Sequence, residues 1–146
     1  MKKNILRTVL LLTACLVLFA GCANAVAAYT GSGDTQTTAT VRIVTEDGEK
    51  LYDGKVKVVD DNPTVYMALK AAAGAKDLTL DIIDESMPDT MFLNGINDLV
   101  SEEPNYWMFY INAEMAMAGM GTQTFEEGDV IEFIYEDWSK GYIEIN

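Results

Sequence analysis

Histidine is absent from all 146 residues. Its absence removes the usual general base, the usual switch near neutral pH and the commonest transition-metal ligand. Only two cysteines occur, Cys15 and Cys22, both near the N-terminus, so the rest of the chain has no thiol for a disulfide, a zinc-thiolate site or a nucleophile. Serine is scarce too: past Thr40 only Ser86, Ser101 and Ser139 remain, and none stands in a Gly-x-Ser-x-Gly elbow. Neither a phosphate-cradling Walker loop nor the paired glycines of a dinucleotide site is present. Basic residues are few, 10 Lys and Arg against 23 Asp and Glu, a net charge of −13. So acidic a chain is a poor partner for nucleic acid or for an anionic membrane surface. These gaps argue against an enzyme, and the sequence offers no catalytic residue and no assigned metal-ligand set.

What is present begins with a targeting segment. Lys2, Lys3 and Arg7 precede an almost wholly apolar run from Val9 to Ala20. That run is too short for a membrane span, which needs ~20 residues to cross a ~30 Å core, and it reads as a signal peptide over residues 1–21. Leu18-Phe19-Ala20-Gly21-Cys22 has the form of a lipobox, with Phe19 where leucine is usual, so Cys22 is the expected lipidation site. Its rivals are Leu12-Thr13-Ala14-Cys15 and ordinary cleavage after Ala25 or Ala27. Lipidation at Cys22 would place the protein on the extracellular face of the cell membrane, held by a lipid anchor. Removing Lys2, Lys3 and Arg7 leaves seven bases against 23 acids, a net charge of −16 on the mature chain.

Residues 22–40 are small and polar, with Gly31-Ser32-Gly33 and Thr35-Gln36-Thr37-Thr38, a composition expected of a flexible tether. One domain is expected over residues 41–146. Val41–Thr45 and Lys55–Val59 alternate as strands, with Glu46-Asp47-Gly48 and Asp53-Gly54 as turn residues between them. Asn62 as cap and Pro63 at the first helical position open a helix bearing Val65, Leu69 and Ala72 on one face, and Gly74 closes it. Leu78, Leu80 and Ile82 alternate, Met91-Phe92-Leu93 ends at Asn94-Gly95, and Tyr106–Asn112 and Val130–Tyr135 are further strands, the last following a Gly128-Asp129 turn. The expected class is α+β, a mixed sheet packed on one main helix.

Tyr106–Asn112 is bulky on both faces: Trp107, Phe109 and Ile111 alternate with Tyr106, Met108, Tyr110 and Asn112. Such a strand is either buried on both sides or presents one face as a binding surface. Met115, Met117 and Met120 bring three thioethers close together, a pattern that serves core or ligand-facing packing and, more rarely, Cu(I). The acids Asp60 and Asp61, and Asp84, Glu85 and Asp89, lie near turns without EF-hand spacing, so Ca²⁺ binding is a weak reading beside plain solvation.

Four segments carry a resemblance: Pro63-Thr64-Val65-Tyr66-Met67-Ala68-Leu69, Phe92-Leu93-Asn94-Gly95-Ile96, Trp107-Met108-Phe109-Tyr110-Ile111-Asn112 and Gly128-Asp129-Val130-Ile131. From about Val41 to Tyr135 the chain resembles the transcobalamin-like C-terminal domain, a β-grasp-like module of cobalamin carriers and of bacterial surface proteins. The family pattern Trp-x-x-Tyr-x-Asn-Gly ends here in Ala113, which implies a reshaped turn. The resemblance implies a surface lipoprotein that captures cobalamin or a related corrinoid for a membrane transporter. The implied ligand contacts are stacking by Trp107 and Tyr110, hydrogen bonds from Asn112 and Asn94, and apolar cover by Met115, Met117 and Met120. A protein-interaction or adhesion module and a metal-binding lipoprotein are the competing expectations.

Overall fold

Branched residues at alternate positions make strands of Gln36–Val44 (β2) and Lys50–Val59 (β3), because such side chains pack well on a pleated surface. In the computed structural model, which describes residues 25–142, 144 and 145, these two strands pair as an antiparallel hairpin. Gly48, at φ 85°, supplies the left-handed position of its turn. Asp53-Gly54, expected in the turn, instead lies inside β3 opposite Arg42 and Val41, since one glycine already reverses the chain.

The segment expected to be a signal peptide, and Cys22 with it, fall outside the described residues. The expected tether is corrected in part: Ala27–Thr30 forms β1, parallel to β3, and β2 already begins at Gln36. Long-range carboxylates hold this stretch. Asp60 accepts the Ser32 amide at 2.7 Å, and Asp61 accepts the amides of Asp34 and Thr35 at 3.2 Å each. Asp60 and Asp61, two of the five acids considered as calcium ligands, therefore act as loop anchors.

The helix, α1 (Val65–Ala75), follows the expected apolar face but not the expected caps. Thr64 is the N-cap residue, without a side-chain cap bond, and Pro63 lies outside. The first amides are met from afar: Val65 and Tyr66 donate to the carbonyls of Gln123 and Met120 at 2.9 Å. At the other end it is Asp77, at φ 52°, that turns left-handed, while Gly74 stays inside the helix. Leu78 N–H then returns to Ala73 C=O at 3.0 Å, the Schellman pattern, which a short aspartate tolerates.

The remaining strands are β4 (Leu80–Ile83), β5 (Phe92–Ile96), β6 (Leu99–Val100), β7 (Asn105–Ile111), β8 (Glu114–Met115) and β9 (Val130–Asp137). Asn94-Gly95 lies within β5, and the chain turns after it at Asn97, φ 53°. The main sheet has the order β1-β3-β2-β9-β7-β8, with β9 parallel to β2 and antiparallel to β7, and β4-β5-β6 form a second sheet. The fold is thus α+β with a mixed sheet. Val41, Ile43, Val56, Ile131 and Phe133 share one core with Leu69 of the helix and Leu93 and Ile96 of the small sheet. Each such fully buried side chain stabilises by ~1.5–3 kcal/mol.

Candidate functional site

The small residues at the end of β7 decide the site's shape. Asn112 and Ala113 both adopt positive φ, 51° and 65°, and make the two-residue reversal that leads into β8. The tight turn therefore persists with alanine in a position that glycine would fill without strain. Asn112 pins this hairpin to the start of β9: its amide donates to Asp129 at 2.9 Å and its oxygen accepts the Val130 N–H at 3.0 Å.

β8 is only two residues long and covers β7 at Tyr110 and Ile111 alone. After one more bond, Ala116 N–H to Phe109 C=O at 3.3 Å, the chain leaves the sheet. The uncovered edge opens into an apolar pocket of 240 Å³ lined by residues that include Phe92, Tyr106, Trp107, Met108 and Met115. Beside it lies a polar cleft of 620 Å³ whose walls include Asn112, Glu114, Met117, Gln123, Phe125 and Glu126. Met115 and Ala116 line both, so the apolar pocket and the polar cleft adjoin at this segment, and the pair is termed the trough. The polar end is acidic: its walls hold Glu114, Glu126 and Asp129 and no lysine or arginine.

The residues expected to bind ligand are not all brought here. Trp107, Asn112, Met115 and Met117 line the trough, with Met115 45% and Met117 93% exposed. Trp107 is nevertheless mostly core, packed on Tyr135 and donating its indole N–H to Leu99 C=O at 3.0 Å. Asn112 is committed to its structural bonds. Tyr110 is corrected as a stacking residue: it is 1% exposed, its ring lies against Tyr142 and its hydroxyl donates to Glu136. Burial first, and the Glu136 bond second, push that hydroxyl well above its usual pKa. Asn94 sits on β5, donates to Asp81 at 2.6 Å and is not among the residues that line the trough. Met120 is fully buried in the core, so the three thioethers do not share one environment. Among the described residues no group of three or more Cys, Asp and Glu is arranged to hold a metal ion.

Sequence reasoning missed Phe92, Met108, Gln123 and Phe125 as trough walls. Phe92 is 42% exposed beside fully packed Leu93. An exposed aromatic in a strand is the one signal that could have found it, and it requires knowing which face of β5 is covered.

Solved structures share this fold. Haptocorrin in complex with Cbi superposes with a TM-score of 0.60 at 15% identity, over 74% of this chain and 27% of that one. A candidate metal-binding protein from Ruminococcus gnavus ATCC 29149 superposes with a TM-score of 0.50 at 12% identity, over 73% of this chain and 99% of that one. At such identities the likeness shows the fold alone, which is transcobalamin-like. No curated protein matches the chain. The model of a family described as a domain of unknown function, DUF4430, matches residues 62–137, just over half of the chain.

Proposed function

We propose, from the premise that the chain belongs to the DUF4430 family, that it is a surface lipoprotein anchored through Cys22 that captures a corrinoid and passes it to a membrane transporter. The observation that carries this reading is that an apolar pocket and a polar cleft lie side by side, with Met115 and Ala116 lining both. A corrinoid presents a broad apolar ring edge fringed by amide arms, and it needs both kinds of wall. Phe92, Met108 and Met115 would cover the ring edge, and Gln123, Thr124 and Glu126 would meet the arms. With no histidine to ligate cobalt, the ring is held by contact alone. The trough is open on one side, which suits capture and release and leaves a face for a second protein. The protein holds its ligand and does not transform it. The haptocorrin fold likeness supports the reading at the level of architecture.

The test is calorimetric titration of residues 23–146 with cyanocobalamin. Saturable binding that Phe92→Ala and Met115→Ala each weaken about tenfold is expected, since each removes an exposed anchor worth ~1.4 kcal/mol or more. No heat at micromolar cobalamin rejects the corrinoid. The second reading, a protein-docking module, is favoured by the exposure of Phe92, Met115 and Met117, each of which lines one or both cavities.

A further inference from the structure

The negative charge is not spread evenly. From Asp77 to Ser139 there are 15 acids and no lysine or arginine, whereas residues 25–76 hold six bases against seven acids. The first region supplies β4 to β9 and the trough, and the second supplies β1, β2, β3 and the helix.

Two of the bases converge where the chain enters the fold. Lys55 and Lys76 line a cleft of 560 Å³ together with Ala25, Val26 and Ala27. Asp53 lies there too, but its carboxylate is met by Lys50 at 3.0 Å and Arg42 at 3.6 Å. Asp77 follows Lys76 in the chain. Asp60 and Asp61 sit at the far end of β1, bound to loop amides. Val26, half-exposed, adds an apolar side chain to the same surface.

We infer that this end of β1 rests on anionic lipid headgroups, so that the sheet stands with β1 toward the membrane and the trough away from it. The inference rests on anchoring at Cys22. Only residues 23–26 separate Cys22 from β1, a reach of at most about 18 Å. A domain held so close cannot turn freely, and charge decides which side faces the lipid. Anionic headgroups attract Lys55 and Lys76 within a Debye length of ~8–10 Å and repel the acidic region. β1 and β8 are the two edges of the six-stranded sheet, five strand spacings apart, or about 24 Å. The trough is thereby presented outward, beyond the screened layer at the lipid surface. The strongly acidic composition had pointed away from anionic membranes, and its segregation reverses that expectation for one edge.

The test is lysine footprinting on residues 22–146, which include every described residue of the fold, coupled through the single thiol of Cys22 to a maleimide phospholipid. A water-soluble acetylating reagent is applied to vesicles of phosphatidylcholine with or without phosphatidylglycerol, and modification is read by mass spectrometry. On the anionic vesicles Lys55 and Lys76 should react about threefold more slowly than on neutral ones, Lys140 should be unchanged, and high salt should abolish the difference. Equal rates on both vesicles, or equal protection of Lys140, overturn the inference. Chemical coupling makes this result independent of lipidation in the cell. That premise is tested separately by the mass of the N-terminal peptide from membranes: a diacylglyceryl Cys22 supports it, and an unmodified one removes it.

Discussion

The eight residues from Glu114 to Gly121 divide into two environments. Glu114 to Met117 edges the trough, with Met115 and Met117 exposed. Gly119 to Gly121 is locked down: Gly119 N–H donates to Asp89 C=O at 3.2 Å, Met120 N–H donates to Met91 C=O at 3.0 Å, and Met120 C=O receives the Tyr66 amide that starts the helix. A side chain at Gly119 would collide with the Asp89 carbonyl, and one at Gly121 would meet Pro88 at 2.8 Å. Methionine occurs in both halves and takes its role from the backbone around it. Where neighbouring loops close over the chain it is core, and where β8 ends early it is surface.

The largest effect should come from the locked half. Met120→Ala empties a fully buried site and is expected to lower stability by ~2–5 kcal/mol in urea titration. A loss comparable to a surface change would place Met120 outside the core. Next is the opposite face of β7, where Tyr110→Phe removes a hydroxyl from buried Glu136 and should lower stability by ~1–3 kcal/mol. Tyr110 has its folded-state pKa raised above the unfolded value near 10, so the native state keeps a proton that the unfolded chain gives up. Its contribution is therefore present below pH ~10 and lost as pH rises beyond it. The urea midpoint should fall above pH ~10 in the parent and fall less in Tyr110→Phe. A pH profile identical in both would contradict the buried bond.

Smaller and of opposite sign is Ala113→Gly. It relieves left-handed strain at φ 65° against a looser unfolded chain, and should raise stability by ~0.5–1 kcal/mol by thermal melting. Destabilisation would mean that the turn is not strained. Smallest is Met117→Ala, expected to stay within ~0.5 kcal/mol of the parent because the side chain is 93% exposed. A larger loss would show that the open half of the segment is packed after all.

The parts of this molecule legible in the sequence are those with a short-range cause. Val65, Leu69 and Ala72 announce the helix face by their spacing, and alternation announces β2, β3, β7 and β9. The helix caps were not legible, because Met120 and Gln123, more than fifty residues away, satisfy amides that by sequence position fall to Asn62. The order of residues 27–40 was hidden for the same reason: Asp60 and Asp61 supply the bonds that a small polar stretch cannot make for itself. At the candidate site the sequence placed Trp107, Met115 and Met117 near one another but could not separate Tyr110 from them. Strand alternation divides the two faces of β7 without saying which face an edge pocket will reach.

Met115 and Met117 line the trough proposed to hold the ligand, while Met120 belongs to the core. Methyl NMR of the methionines during titration with cyanocobalamin tests this directly. Saturable shifts of the Met115 and Met117 methyls, with Met120 and Met91 unmoved, are the predicted result. Saturating ligand that leaves Met115 and Met117 where they were would contradict it.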